Sequence, residues 1–189
     1  MVTTISKCIA HQGGTIYEIV ENCKAALQSG GIFQWTDHYP TLQIIQNDIE
    51  SGHLYQIQSG KDILGIINIS AIQEEEYKNI NWSYPVDTSL VIHRLAIDPK
   101  HQGQGFAQKL MTFAENYGKQ RGFHSIRLDA YSQNTRVLRF YDKRAYAKRG
   151  EIYFPGRDLP FYCYEKQLVK NENRNCTIKT PKRKYFSKY

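Results

Sequence analysis

The residues whose types and spacing suit chemistry lie between positions 95 and 141. The run LAIDPKHQGQGFAQKLM, residues 95–111, leaves an apolar strand-like stretch at Asp98 and Pro99. It crosses a polar segment holding Gly103 and Gly105 and then turns amphipathic with helical spacing. Glycine inside a helix costs about 0.5–1 kcal/mol relative to alanine, so two of them where a helix begins need a reason. The first four N–H groups of a helix lack intrahelical partners and carry partial positive charge, and glycines keep side chains out of an anion's approach to them. The chemistry expected is phosphate binding, and the competing reading is a tight turn into a helix.

Three phosphate-binding patterns can be compared with this stretch. No GxxxxGK[ST] run exists in the chain. A GxGxxG/A pattern fits Gly103 and Gly105 but meets Gln108 at its third small position. The pattern Q/R-x-x-G-x-G/A after a strand and a proline is satisfied throughout by QGQGFA, Gln102 to Ala107. With it comes a downstream Asn134 followed seven residues later by Tyr141. On these residues the chain resembles the GCN5-related N-acetyltransferase (GNAT) family over about residues 3–168. The stretch from Leu95 to Glu151 is similar to that family's strand, pyrophosphate loop, helix, strand, helix and strand in order.

The resemblance implies acetyl-CoA as cosubstrate and no metal. It assigns the pyrophosphate to the N–H groups of the loop, with Gln102, Gly103, Gln104, Gly105, Phe106, Ala107 and Gln108 as cofactor contacts. Leu95, Ala96 and Ile97 would pair with the pantetheine arm as if it were an added strand, and Asn134 and Tyr141 would also meet the cofactor.

Acetyl transfer needs a neutral amine, a stabilised oxyanion and a protonated leaving thiolate. An alkylamine of pKa about 10.4 is free base in so few molecules at pH 7 that the deficit is about 4–5 kcal/mol, part of which a positioned base offsets. By the resemblance Asp129 is the candidate base, acting through water because it is one methylene shorter than the usual Glu. A salt bridge with Arg127 or Arg94 is the packing alternative for the same residue. Tyr141 matches the family's thiol-protonating tyrosine, although with Val137 and Leu138 it shares a helical face and could simply fill the core. A backbone N–H near Leu95 would serve the oxyanion, and His93 is an alternative base. The family usually has Gly before the aromatic residue that opens the next strand; here Ala145 precedes Tyr146.

By the same resemblance acceptor contacts are expected from Trp35 and Tyr39 between the first two helices, from Trp82 and Tyr84, and from Arg157, Phe161 and Tyr162 in the last hairpin, with core or turn packing as the alternative for each. Aromatic rings could enclose an amine, and Arg157 could grip a carboxylate.

Several elements must position these groups. Apolar residues Ile16, Ile19, Val20, Cys23 and Leu27 mark a helix ending at Gly30 and Gly31, and Thr41 starts a second helix running to about Ser51. LYQIQ and DILGIINISAI read as a hairpin and TSLVIHRLAI as a further strand. The connection holding Glu74, Glu75 and Glu76 reads as solvated. Phe106, Leu110, Phe113, Ala114 and Tyr117 share a helical face, and HSIRLDA, NTRVLRFYDKR, YAKRGEIYF and PFYCYEKQL follow as strand, helix and two strands. With a first strand in residues 3–10, the pattern implies an α/β fold with helices on both faces. The resemblance sharpens this to a mixed, mostly antiparallel sheet with a splayed parallel strand pair.

The 189 residues, 41% hydrophobic and 23% charged, suit one globular domain. Of the net charge of +7, residues 170–189 carry +6. A domain over 1–169 and a basic, flexible tail over 170–189 are expected, and the tail alone raises nucleic-acid association, which is not favoured. Without an apolar run of about 18 residues or a signal-peptide pattern, a cytoplasmic protein with no membrane partner is expected. Cys8, Cys23, Cys163 and Cys176 show no metal-ligand spacing and read as separate thiols. The function expected is acetyl transfer to a primary amine of a small molecule or peptide, with a homodimer allowed. An acyl-CoA sensor with little turnover is the alternative.

Overall fold

The computed structural model describes residues 2–168; the basic segment 170–189 and Cys176 lie outside the described residues. Strand β1 (Thr4–Lys7) leads through a short turn into helix α1 (Gly13–Ser29), and α2 (Leu42–Glu50) follows. Thr41 caps α2 by accepting from the Ile44 N–H at 3.3 Å, the role its position after Pro40 suggested. Strands β2 (Leu54–Ser59) and β3 (Asp62–Ser70) form the expected hairpin, and residues 71–88 connect them to β4 (Ser89–Ile97). Then come α3 (Phe106–Gln120), β5 (Ser125–Tyr131), α4 (Thr135–Lys143), β6 (Ala147–Ile152) and β7 (Phe161–Gln167).

The strands form one sheet in the order β1-β2-β3-β4-β5-β7-β6. Every neighbouring pair is antiparallel except β4 and β5. Strand β7 therefore inserts between β5 and β6, which no local pattern announces. Ile16, Ile19, Val20 and Cys23 of α1 and Ile45 and Ile49 of α2 bury against Leu54, Ile66 and Ala96 on one sheet face. Leu110, Met111 and Ala114 of α3 and Tyr141 of α4 bury with Ile67, Ile69, Ile92, Ile126 and Leu128 on the other. Alternating strand side chains thus supply two cores, one for each helical layer.

The connection 71–88 departs from the solvated stretch expected of it. Tyr77 is buried with Val91, Tyr131, Ile152, Phe161 and Cys163 in a third cluster, and Glu74 is bound to His93. A run of three glutamates says nothing of the tyrosine directly after it that turns inward. Among the described residues no helix is long and apolar enough to cross a membrane.

Candidate active site

The start of α3 carries the geometry that its two glycines suggested. Gly103 and Gly105 have φ of +80° and +82°, the left-handed region where a Cβ is strained. A Cβ on Gly103 would meet no atom within 4 Å, and one on Gly105 only Gln108 Oε1 at 3.9 Å. The turn thus needs glycine for its backbone and leaves open space above it. Among the described residues, no acceptor is hydrogen bonded to an N–H group from Gly103 to Gln108. The Gln102 side chain turns inward, donating from Nε2 to the Ile97 carbonyl at 3.1 Å, while its Oε1 accepts from Arg136 Nη1 at 3.1 Å. Those two bonds tie the loop to the end of β4 and bring a guanidinium beside it. Phe106 is buried, Ala107 half-buried, and Gln104 and Gln108 exposed.

Strands β4 and β5 pair only from Ser89 with Ser125 to Ile92 with Leu128, and then separate. At the point of separation β4 carries a bulge, where His93 and Arg94 together face Asn68 between the Ile92–Ile69 and Leu95–Ile67 pairs. The Asp98 N–H donates to the Leu64 carbonyl. Strand alternation then turns the N–H and C=O of Leu95 and Ile97 to the edge that β5 has left, whereas Ala96 faces β3. The Ile97 carbonyl on that edge accepts from Cys23 Sγ at 3.1 Å as well as from Gln102.

Asp129 is the first β5 residue beyond the last paired position. Neither Arg127 nor Arg94 bridges to it: Arg127 pairs with Glu165, and Arg94 with Asp48. Its partner is Tyr77, whose hydroxyl donates to Asp129 Oδ2 at 2.7 Å. Burial pushes the Asp129 carboxyl up to about 6; the Tyr77 hydrogen bond pulls it back, and the Glu74 charge adds to the rise. His93 is engaged at both ring nitrogens, Nδ1 with Glu74 Oε1 at 2.7 Å and Nε2 with the Ile72 carbonyl and Ser70 Oγ at 3.0 Å each. Neither nitrogen is left over for a substrate.

On the opposite sheet face Tyr141 is 6% exposed and packs against Tyr146, Tyr164 and Phe140, with ring centroids 5.7, 6.0 and 5.4 Å away. Burial first, then the Asp129 charge, pushes its phenol well above the ordinary value, so it keeps its proton through the neutral range. Asn134 caps α4 by accepting from the Val137 N–H at 3.3 Å, and its Nδ2 donates to Gln34 Oε1 at 2.9 Å. Ala145 has φ of +59°, the only non-glycine residue at positive φ among those described. The chain keeps the turn that glycine would make and bears the strain.

On the acceptor side, Trp35 is 6% exposed and built into the core under α1 and α2, whereas Tyr39 stays at the surface. The Tyr39 hydroxyl accepts from Arg94 Nη1 at 2.7 Å, and Arg94 grips both Asp48 carboxylate oxygens from Nε and Nη2 at 2.8 and 2.7 Å. Arg157 lies over the rings of Tyr131 and Phe161 and donates to the backbone carbonyls of Phe33 and Gln34. Its guanidinium is thereby engaged in latching the α1–α2 loop. Trp82 and Tyr84 sit on Arg127, by ring and by carbonyl.

The structure ties the glycine loop to α4 through Arg136 and sets Asp129 and Tyr141 on opposite faces of the sheet; the sequence pattern did not single out Tyr77, Glu74 or Arg136. Only Tyr77 had a local signal, an aromatic residue inside a polar stretch.

This architecture has known counterparts. The profile of the acetyltransferase (GNAT) family matches residues 15–146. The chain is 23% identical over 151 residues to the uncharacterized N-acetyltransferase YesJ of Bacillus subtilis, covering 76% of this chain and 78% of that one. A GNAT-family acetyltransferase from Streptococcus agalactiae superposes with a TM-score of 0.75 at 22% identity, over 89% of this chain and 96% of that one. YncA of Salmonella typhimurium, solved with its cofactor acetyl-CoA, superposes with a TM-score of 0.68 at 16% identity, over 93% and 99%. A glycine loop at a helix start, a strand pair that opens beside it and a family match spanning most of the chain agree: this protein is a member of the acetyltransferase (GNAT) family.

Proposed function

We propose that the protein transfers the acetyl group of acetyl-CoA to a primary amine of a small molecule or peptide. The observation that carries this reading is the opening of β4 from β5 beyond Ile92 and Leu128, with Asp129 at its apex and N–H groups without partners at the far end of β4. The residues fit the cofactor. The loop from Gln102 to Gln108 offers N–H donors beneath open space, Arg136 adds positive charge for phosphate, and the open edge of β4 offers the Leu95 N–H and C=O and the Ile97 N–H to an amide-bearing arm, the Ile97 carbonyl being taken by Cys23 and Gln102. When bound, acetyl-CoA supplies an activated acetyl carbonyl with a thiolate leaving group.

The chain's own residues account for the remaining needs. Asp129, with its carboxyl near 6, is ionised at neutral pH yet basic enough to accept the ammonium proton through water. A Leu95 N–H on the open edge is the donor for the carbonyl oxygen as charge develops. Tyr141 keeps its proton at neutral pH and can give it to the leaving sulfur. Tyr39 contributes an exposed ring near the entrance, and Trp35 and Arg157 shape the same loop from beneath.

The test pairs calorimetry of coenzyme A binding with thiol release from acetyl-CoA over a panel of amines, polyamines, amino acids and peptide N-termini. Binding together with amine-dependent thiol release is expected. Binding without release across the panel would leave an acyl-CoA sensor, and no binding would overturn the reading.

A further inference from the structure

Arg127 and Asp129 stand two residues apart on β5, so their side chains share a sheet face, yet they make no ion pair. A continuous set of contacts nevertheless joins them through the connection 71–88. The Arg127 guanidinium lies 4.5 Å from the Trp82 ring centroid, donates from Nη1 to Gln73 Oε1 at 3.0 Å and from Nη2 to the Tyr84 carbonyl. It thus grips the connection on both sides of Tyr77. Trp82 in turn donates from Nε1 to the Tyr77 carbonyl at 3.0 Å, and the two rings pack with centroids 5.2 Å apart. Tyr77 completes the set with its 2.7 Å bond to Asp129.

The anchor beneath Arg127 is Glu165, whose side chain is fully buried. It takes Arg127 Nε at 3.3 Å, Ser125 Oγ at 3.1 Å, the Ser83 N–H at 2.8 Å and Arg149 Nε at 3.3 Å. Removing charges from water is costly, and an ion pair in such a place is often replaceable by apolar packing without loss of stability. A fully buried acid with three hydrogen-bond donors and a second guanidinium beside it, tied to the connection through the Ser83 N–H and Arg127, therefore calls for a use beyond stability.

We propose that Arg127 is a positioning residue for Asp129, acting at one remove by holding Trp82 and Tyr77 so that the Tyr77 hydroxyl stays on the carboxylate. This rests on the reading of Asp129 as the base. The groups coupled to Asp129 through charge are Tyr77, Glu74 and Glu76 from the connection, His93 from β4, Cys163 from β7, Tyr39 from the α1–α2 loop and, from the opposite sheet face, Tyr141 of α4. Of the hydrogen-bond donors among them, Tyr77 is the one bonded to it. A donor to the charged form lowers a carboxyl pKa, and its loss lets burial raise it further. A connection released from Arg127 would leave Asp129 protonated in a larger share of molecules at neutral pH.

The test is a direct titration of Asp129 by carboxyl-carbon NMR in the full chain labelled at aspartate, with the signal assigned by Asp129→Asn. Tyr77→Phe is expected to move the midpoint up by about one pH unit, the worth of one hydrogen bond to a charged group. Arg127→Met should move it in the same direction although Tyr77 is intact. The double variant should move it no further than Tyr77→Phe alone, because both act through one bond. In Arg127→Met, Glu165 keeps Arg149, Ser83 and Ser125; should that variant not fold, R127M/E165Q withdraws both charges and is read the same way. A folded Arg127 variant with the wild-type midpoint overturns the proposal, as does a Tyr77→Phe variant without a shift. No acceptor or turnover enters the measurement, so Asp129 can fail as a base in the amine assays while this result stands, and the reverse.

Discussion

Gly105→Ala tests the cofactor loop, and Gly122→Ala serves as its internal control. Both glycines sit in the left-handed region, at φ of +82° and +79°, one before the first turn of α3 and the other after its last. A Cβ at 105 meets nothing closer than Gln108 Oε1 at 3.9 Å, and one at 122 meets nothing within 4 Å. Neither substitution creates a clash, so each costs only the left-handed backbone, about 1 kcal/mol, or about 2–4 °C in Tm for a chain of this size. The consequences for coenzyme A differ. At 105 the methyl group enters the space over the N–H groups of Gly103 to Gln108, and the loss of one charge-assisted hydrogen bond of about 1.5–3 kcal/mol weakens binding about 10- to 100-fold. At 122, about 25 Å away along the helix, affinity stays within about twofold. Calorimetry with coenzyme A, beside melting curves of the free proteins, separates the two effects. Equal affinities for the two variants would refute the assignment of diphosphate to this helix start, whatever their stabilities.

Other expectations follow from the same geometry. Tyr141→Phe keeps the ring packing against Tyr146, Tyr164 and Phe140, so Tm and coenzyme A affinity hold while kcat in the thiol-release assay falls about 100-fold or more; a fall under threefold would reduce Tyr141 to core packing. Asp129 has a folded-state carboxyl raised to about 6, so the native protein holds this proton more tightly than the unfolded chain and loses stability as pH rises from about 4 to 6. Asp129→Asn removes that loss, and its melting advantage over the wild type should grow across this window and level off above it. An advantage independent of pH would contradict the raised carboxyl. The same residue places the acid limb of kcat/KM near pH 6, and that limb should vanish in Asp129→Asn. Ala145→Gly relieves the single non-glycine left-handed residue described and should raise Tm by about 2–4 °C, measured by thermal denaturation without ligand.

Reading the chain residue by residue located most elements to within a few positions. Their signals are local: Thr41 caps α2, the apolar spacing of α1 and α3 marks their buried faces, and the hairpin turn at Ser59 and Gly60 joins β2 to β3. The two glycines of the loop drew notice as residues that keep side chains away from a helix start, and the fold adds a second reason for them, a left-handed φ at both. Strand order was less legible, since β7 inserts between β5 and β6 through pairings that hydrophobic alternation does not encode. On the acceptor side, Trp35 and Tyr39 look alike in sequence, and burial separates them, one into the core and one at the surface.

The amino-acid sequence by itself determined the helices, the strands and the glycine turn that opens α3, together with the Asn134 to Tyr141 spacing, because each depends on dihedral preferences and periodicities within a turn or two. What Asp129 touches was decided only by the tertiary structure. Its partner lies 52 residues away on a connection with no periodicity, while the arginine two residues before it turns instead to a glutamate 38 residues downstream. Which of several opposite or hydrogen-bonding groups a buried charge meets depends on how the strands are ordered and where a connection is anchored, and those are properties of the packed sheet.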